Sequence, residues 1–232
     1  MNLKRQGARE LAAALARDGR QAWLFPAAVH LVEVAEAIKG GKLQLGAQDV
    51  SPDRDGAFTG DLSAEMLADA GASLVLAGHS ERRQGHGESS GLIARKLKRA
   101  LQGGLSPLLC VGETRAEREM GHAAAIVGQQ LSVLSELSPT QRTQVAAVAY
   151  EPVWAIGTGL NATAKQADEM HREVKSKLKS LGMEKTPVLY GGSVKADNCA
   201  ELLACPNVDG LLVGGASLTY ESLAAIDDAA RK

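Results

Sequence analysis

Cysteine is scarce in this chain: three residues in 232, Cys110, Cys199 and Cys205. An odd number, with nothing resembling Cys-x-x-Cys, excludes a disulfide framework and a thiolate metal site, and suits reduced thiols in the cytoplasm. Apolar runs are short, none approaching the roughly 20 residues that cross a bilayer, and the N-terminus lacks a secretory pattern. Neither sign of charge prevails. Lysine plus arginine number 26 against 27 acidic residues, a net charge of −1, so no nucleic-acid footprint is written in the composition. Walker and dinucleotide glycine spacings are absent, and no His/Asp/Glu cluster suggests a metal, so neither a nucleotide cofactor nor a metal is expected. No Pro/Ser-rich linker divides the chain, which reads as one domain over residues 1–232.

What is present is alternation. Short apolar runs at 22–25, 43–46, 74–77, 107–111, 145–150, 187–190 and 208–213 read as seven buried strands. Helix-like segments lie between them. Over 164–181, Met170, Val174, Leu178 and Leu181 fall on one face, and over 88–101 Ile93, Leu97 and Leu101 do the same. Such a succession specifies a parallel sheet with helical crossovers. Periodicity alone leaves an open doubly wound sheet as a competitor to a closed barrel. A barrel also needs one more strand, ahead of the helical segment 8–16, where only a stub around residues 2–4 is available. The first strand is therefore expected to be truncated or incomplete.

The segment Ala149-Tyr150-Glu151-Pro152-Val153-Trp154-Ala155-Ile156-Gly157-Thr158-Gly159 carries the most chemistry. It sets a carboxylate at the end of a β-rich run, then a loop stiffened by Pro152 and freed at its far end by Gly157 and Gly159. Trp154 supplies an apolar anchor. A catalytic base beneath a closing loop needs this arrangement, although Glu-Pro by itself often only ends a strand.

Further motifs follow in order: Gly78-His79-Ser80-Glu81-Arg82-Arg83, Leu109-Cys110-Val111-Gly112-Glu113, Tyr190-Gly191-Gly192-Ser193-Val194, and Val213-Gly214-Gly215-Ala216-Ser217-Leu218. With the Glu151 segment they resemble the triosephosphate isomerase family over almost the whole chain. The resemblance implies a (β/α)₈ TIM barrel with its site at the C-terminal ends of the strands. It implies a cofactor-free, cytoplasmic enzyme of glycolysis and gluconeogenesis that interconverts dihydroxyacetone phosphate and glyceraldehyde 3-phosphate. Glu151 is then the base and His79 the electrophile, kept neutral by a helix N-terminus. Lys4 supplies positive charge, held by Glu81, and Asn2 contacts the substrate oxygens. Gly157, Ser193, Gly214 and Gly215 form the phosphate seat, largely through backbone N–H groups.

The family pattern is broken at the N-terminus, where Leu3 stands in place of the usual tryptophan. That break keeps a second reading open, a non-catalytic phosphate-binding barrel with an interaction role. An aldolase-like phosphosugar enzyme ranks below both, because no interior strand ends in lysine. Glu113 and Cys110 read as ordering neighbours rather than reacting. His30, His86, His122 and His171 read as surface or structural. Residues 47–50 followed by 56–61 resemble the protruding loop that the family docks into a second subunit, which implies a homodimer with Thr59 reaching the partner and apolar Phe58 covered.

Overall fold

The computed structural model describes residues 2–156 and 162–231. Within them seven strands form one parallel sheet in sequence order: β1 (Trp23–Leu24), β2 (Gln44–Ala47), β3 (Leu74–Ala77), β4 (Ser106–Val111), β5 (Ala147–Tyr150), β6 (Val188–Tyr190) and β7 (Gly210–Leu211). The helices are α1 (Arg5–Arg17), α2 (Leu31–Ala37), α3 (Ala64–Asp69), α4 (Ser80–Gly85), α5 (Ser90–Gln102), α6 (Arg115–Glu119), α7 (Ala123–Leu131), α8 (Pro139–Arg142), α9 (Ala164–Ser180), α10 (Cys199–Leu203) and α11 (Tyr220–Ala230). Every residue of β3 and of β5 is buried. Strands covered on both faces are the reason those segments read as continuous apolar runs rather than as alternations.

Helix boundaries follow local capping chemistry. Thr163 and Gln166 form a reciprocal capping box that starts α9, and Met170, Val174 and Leu178 are its buried stripe. α5 starts two residues later than its periodicity suggests, because the Ser89 hydroxyl accepts from the Leu92 N–H at 3.2 Å and caps it there. Glu88 instead enters a buried ion cluster. Lys96 Nζ lies 2.6 Å from both Asp49 Oδ1 and Glu88 Oε1. Arg82 reaches Asp49 at 2.8 Å and Glu88 at 2.7 Å. Burial raises the Asp49 carboxyl, whereas on Glu88 the two cations outweigh burial and hold it below the usual range. The cluster fastens the loop after β2 to α4 and α5.

The sheet is curled. α1 at one end of the element order packs against α11 at the other. Arg20 bonds to Asp18, Asp227 and Asp228, and the Tyr220 hydroxyl donates to Asp18 at 2.9 Å. Leu76, Leu108, Cys110, Ala147, Ala149 and Leu189 fill the interior, with Trp23, Phe25 and Leu212 against them. The outer helices and the sheet enclose two further core clusters. This is the expected barrel architecture, formed by seven strands among the described residues. No strand precedes β1 there. Leu3 has φ of 63°, and Lys4 is already the extended cap of α1. β1 and β7 each pair with one neighbour only, and both are two residues long, shorter than the runs expected at 22–25 and 208–213. A strand with one neighbour has half the ladder to hold it. Among the described residues, no helix is long and apolar enough to cross a membrane.

His171 on α9 is fully buried between Tyr150 and Tyr190. Burial lowers its pKa from 6.5 to about 4, opposed by the Asn207 carbonyl, Asp209 and Asp168, with Lys175 reinforcing burial. The unfolded chain therefore takes up this proton first. The stabilisation is complete above about pH 6.5 and is lost as pH falls toward 4, on the order of 3 kcal/mol in all. Thermal midpoints measured across this window are expected to fall more steeply in the parent than in His171→Phe. Parallel curves would remove His171 as the cause.

Candidate active site

Five strands end on one face of the sheet, and their following residues make the site. β3 delivers Gly78 and His79, β4 Gly112 and Glu113, β5 Glu151, β6 Gly191 to Ser193, and β7 leads to Gly214 and Gly215. The register is closed across them by backbone bonds. Glu151 N donates to Val111 O at 2.8 Å, Gly191 N to Tyr150 O at 2.8 Å, and Leu212 N to Tyr190 O at 2.8 Å.

Glu151 is 2% exposed. One carboxylate oxygen accepts the Ser80 backbone N–H at 2.8 Å, and the other lies 2.9 Å from His79 Nε2. His79 is the cap of α4, its Nδ1 accepting the Glu81 N–H at 3.3 Å. That bond assigns the imidazole proton to Nε2, the nitrogen facing the carboxylate. Burial opposes a charge on His79, but the bond and charge of Glu151 prevail, helped by Glu81, and its pKa is raised. The neutral imidazole expected from the helix N-terminus thus has the carboxylate working against it. A turn at Gly78, φ 73°, aims His79 inward. Arg83 ties that turn to β4, its Nε donating to Gly78 O at 2.7 Å and its Nη2 to Cys110 O at 3.0 Å.

Glu113 is fully buried and collects three donors on one oxygen: Tyr150 Oη at 3.0 Å, Trp154 Nε1 at 2.9 Å and Arg118 Nη1 at 3.0 Å. Arg118 also stacks over the Trp154 ring, 4.9 Å from its centroid. Glu113 therefore orders the residues on both sides of Glu151. Ser193 Oγ donates to Ala155 O at 2.8 Å, joining the turn after β6 to the segment after Glu151. Apart from Arg118, five residues from Glu113, these partners are 37 to 41 positions apart and carry no local sequence signal.

Glycines give the base its room. A Cβ on Gly112 would lie 1.7 Å from Glu151 O, and one on Gly191 would lie 3.0 Å from Glu151 Cγ. Gly112→Ala must push apart the ends of β4 and β5. Overpacking of this kind costs about 1–3 kcal/mol, and ~1 Å of misplacement at a base costs about 10²-fold in rate. Thermal melts and kcat are both expected to fall, and parent-like values for both would contradict this packing.

Other expected residues lie apart from the pair. Asn2 and Lys4 are exposed, and among the described residues no bond or ion pair joins either to His79, Glu81 or Glu151. The Leu3 carbonyl lies 3.3 Å from His30 Nε2 in the turn after β1, which puts residues 2–4 on the strand-end side. Glu81 is exposed, and among the described residues no ion pair joins it to Lys4. Gly214 and Gly215 are exposed, Gly214 capping the 3₁₀ turn Gly215–Ser217. Gly157 lies outside the described residues. His30 and His171 are buried, and His86 and His122 are exposed.

The sequence matches the family model for triosephosphate isomerase over residues 1–230. The triosephosphate isomerase of Methylococcus capsulatus is 45% identical over 201 residues, covering 85% of this chain and 80% of its own. Those of Xanthomonas oryzae and Stenotrophomonas maltophilia are each 46% identical over 224 residues, covering 95% of this chain and 89% of theirs. A sheet that sets a buried glutamate against a histidine at its strand ends, in a sequence matched over this length, belongs to the triosephosphate isomerase family.

Proposed function

We propose that this chain interconverts dihydroxyacetone phosphate and glyceraldehyde 3-phosphate by proton transfer through an enediolate. The observation that carries the reading is the 2.9 Å contact between the Glu151 carboxylate and His79 Nε2 at the ends of β5 and β3. In the resting arrangement both carboxylate oxygens are engaged, one by Ser80 and one by His79. A substrate entering between base and imidazole takes over these partners. Glu151 then removes the proton from the carbon beside the carbonyl, and His79 donates its Nε2 proton as a hydrogen bond to the oxygen on which charge develops. The hydroxyl proton passes from one substrate oxygen to the other, and the protonated Glu151 returns the carbon's proton to the neighbouring carbon. A buried carboxylate is better suited to this than a solvated one, because water would compete for the same lone pairs. The non-catalytic reading draws no support from the family match or from this pair.

The phosphate seat we assign to Ser193, Gly214 and Gly215, with Gly157 as a further N–H donor. Glycine turns after adjoining strands let backbone N–H groups approach an anion closely. Asn2 and Lys4 are proposed as substrate contacts from the start of α1, completed on binding. Unchanged KM and kcat in Lys4→Ala would take Lys4 out of the site. Glu81 is proposed as a support through its backbone N–H on His79.

We also propose a single barrel domain that works as a homodimer in the cytoplasm. The loop between Val50 and Ser63 is pinned at its base, Ser51 N donating to Leu62 O at 2.8 Å and Ser51 Oγ to Asp61 at 2.8 Å. Its tip holds Thr59 and a Phe58 that is 48% exposed, the sort of apolar tip that a second subunit covers. Free Cys110, Cys199 and Cys205 suit a reducing compartment.

Steady-state turnover of glyceraldehyde 3-phosphate, coupled to reduction of the ketone product, tests the reaction. Saturable turnover that depends on Glu151 is the expected result. A folded protein that binds inorganic phosphate yet turns over neither triose phosphate would overturn it.

A further inference from the structure

The steps above leave His171 without a task. It has no exposed surface. Its ring stands edge-on to Tyr150, with centroids 5.8 Å apart and planes at 87°, and tilts at 33° against Tyr190, 6.2 Å away. These tyrosines are the last residues of β5 and β6. Each is followed directly by working parts of the site, Tyr150 by Glu151 and Tyr190 by Gly191 and Gly192.

The ring is fixed from behind. Its Nδ1 lies 3.2 Å from Asn207 O, and a neutral imidazole meets a carbonyl only by donating. Asn207 is itself held by Asp168, whose Oδ1 accepts both the backbone and the side-chain N–H of Asn207 at 3.0 Å. Asp168 sits one turn before His171 on α9, so helix, turn and ring form a closed loop of bonds. His171 Nε2 is buried without a partner, a cost that an apolar residue filling the same space would not carry.

Tolerances on the far side of the tyrosines are tight. Gly191 N donates to Tyr150 O at 2.8 Å. A Cβ on Gly192 would lie 2.2 Å from the Tyr190 hydroxyl. Movement of either ring is passed on, through Tyr150 to the base and through Tyr190 to the glycine turn.

We propose that His171 is a positioning residue for the isomerase: it sets the spacing between the Glu151 carboxylate and the phosphate-binding turn after β6 by holding Tyr150 and Tyr190 in register. The role rests on the isomerase reading of the site. It matters only for a substrate gripped at both places, since a phosphate seated on the β6 turn decides where the reacting carbon meets Glu151.

The test compares glyceraldehyde 3-phosphate with glyceraldehyde, which has the same reacting carbons and no phosphate, across parent, His171→Ala, His171→Phe and Asp168→Ala. His171→Ala is expected to lower kcat/KM for the phosphorylated substrate by roughly 10–10²-fold, the scale of an ångström of misplacement. Its loss on glyceraldehyde is expected to be about tenfold smaller, because without a phosphate anchor that substrate can follow a shifted Glu151. His171→Phe restores a ring between the tyrosines and is expected to recover most of the loss. Asp168→Ala leaves the ring in place but frees its anchor, giving a smaller loss with the same selectivity. Should His171→Ala fail to fold, the other two variants carry the test. Equal losses on both substrates, or none on either, would reduce His171 to packing and overturn the proposal. A parent inactive on both substrates would overturn the isomerase reading instead, and this role with it.

Discussion

Glu151→Gln is expected to lower kcat by roughly 10²–10⁴-fold, the range that a positioned general base contributes, with binding of inorganic phosphate retained. The amide keeps the shape of the side chain in its buried slot and can still accept one hydrogen bond, but it has no basic lone pair for a carbon-bound proton. One of its two donors, Ser80 N–H or His79 Nε2–H, must then face the amide NH₂ instead of an oxygen. A spectroscopic consequence accompanies the kinetic one. Burial lowers the pKa of His79, and the Glu151 carboxylate outweighs it, so His79 in the Gln variant should titrate at lower pH than in the parent. Steady-state kinetics and the imidazole resonances of the two proteins check both parts. Near-parent turnover, or an unmoved His79 titration, would remove the coupling on which the reading of the site depends.

His79→Ala is the second large effect. The variant loses the donor to the developing oxyanion, which costs about 10²–10³-fold in kcat where one such donor has been removed elsewhere. It also loses the cap of α4, because Nδ1 no longer accepts the Glu81 N–H, at about 1 kcal/mol. The two losses separate experimentally: the cap appears in thermal melts and the donor in kcat. A variant that is less stable but equally fast would leave His79 only its structural role.

Much of the site could be read from residues because its members punctuate the chain. Glu151, His79, Gly191, Ser193 and Gly214 each follow an apolar run, and local pattern is sufficient to find the end of a run. What decides their chemistry was not legible. The bond between His79 and Glu151 spans 72 positions, and two of the three donors on Glu113, Tyr150 and Trp154, lie 37 and 41 positions away. Burial hid other residues. Glu88 looks like the polar start of a helix, yet its partners Asp49, Arg82 and Lys96 draw it into the core. His171 looks like a polar residue on the amphipathic α9, and only the adjacency of β5 and β6 reveals two tyrosines around it. The N-terminus is less fixed by its neighbours. Asn2 and Lys4 have suitable side chains, but a positive φ at Leu3 and an immediate start of α1 leave them exposed.

The strand ends likewise show where sequence and structure part. The run at 22–25 is wholly apolar and that at 208–213 is broken only by Asp209 and Gly210, but each keeps only two residues in the sheet. Apolar composition drives burial, whereas strand length needs partners on both sides. Trp23, Phe25 and Leu212 are consequently only partly buried against the barrel interior.

Proton exchange with solvent tests the central claim most directly. If Glu151 carries a proton between adjacent carbons and exchanges part of it with solvent while the enediolate lasts, the parent turning over glyceraldehyde 3-phosphate in D₂O will place some solvent deuterium on C1 of the dihydroxyacetone phosphate formed. Glu151→Gln will lose this exchange and turnover in equal measure. Turnover or exchange that persists at the parent's rate in Glu151→Gln would contradict Glu151 as the base.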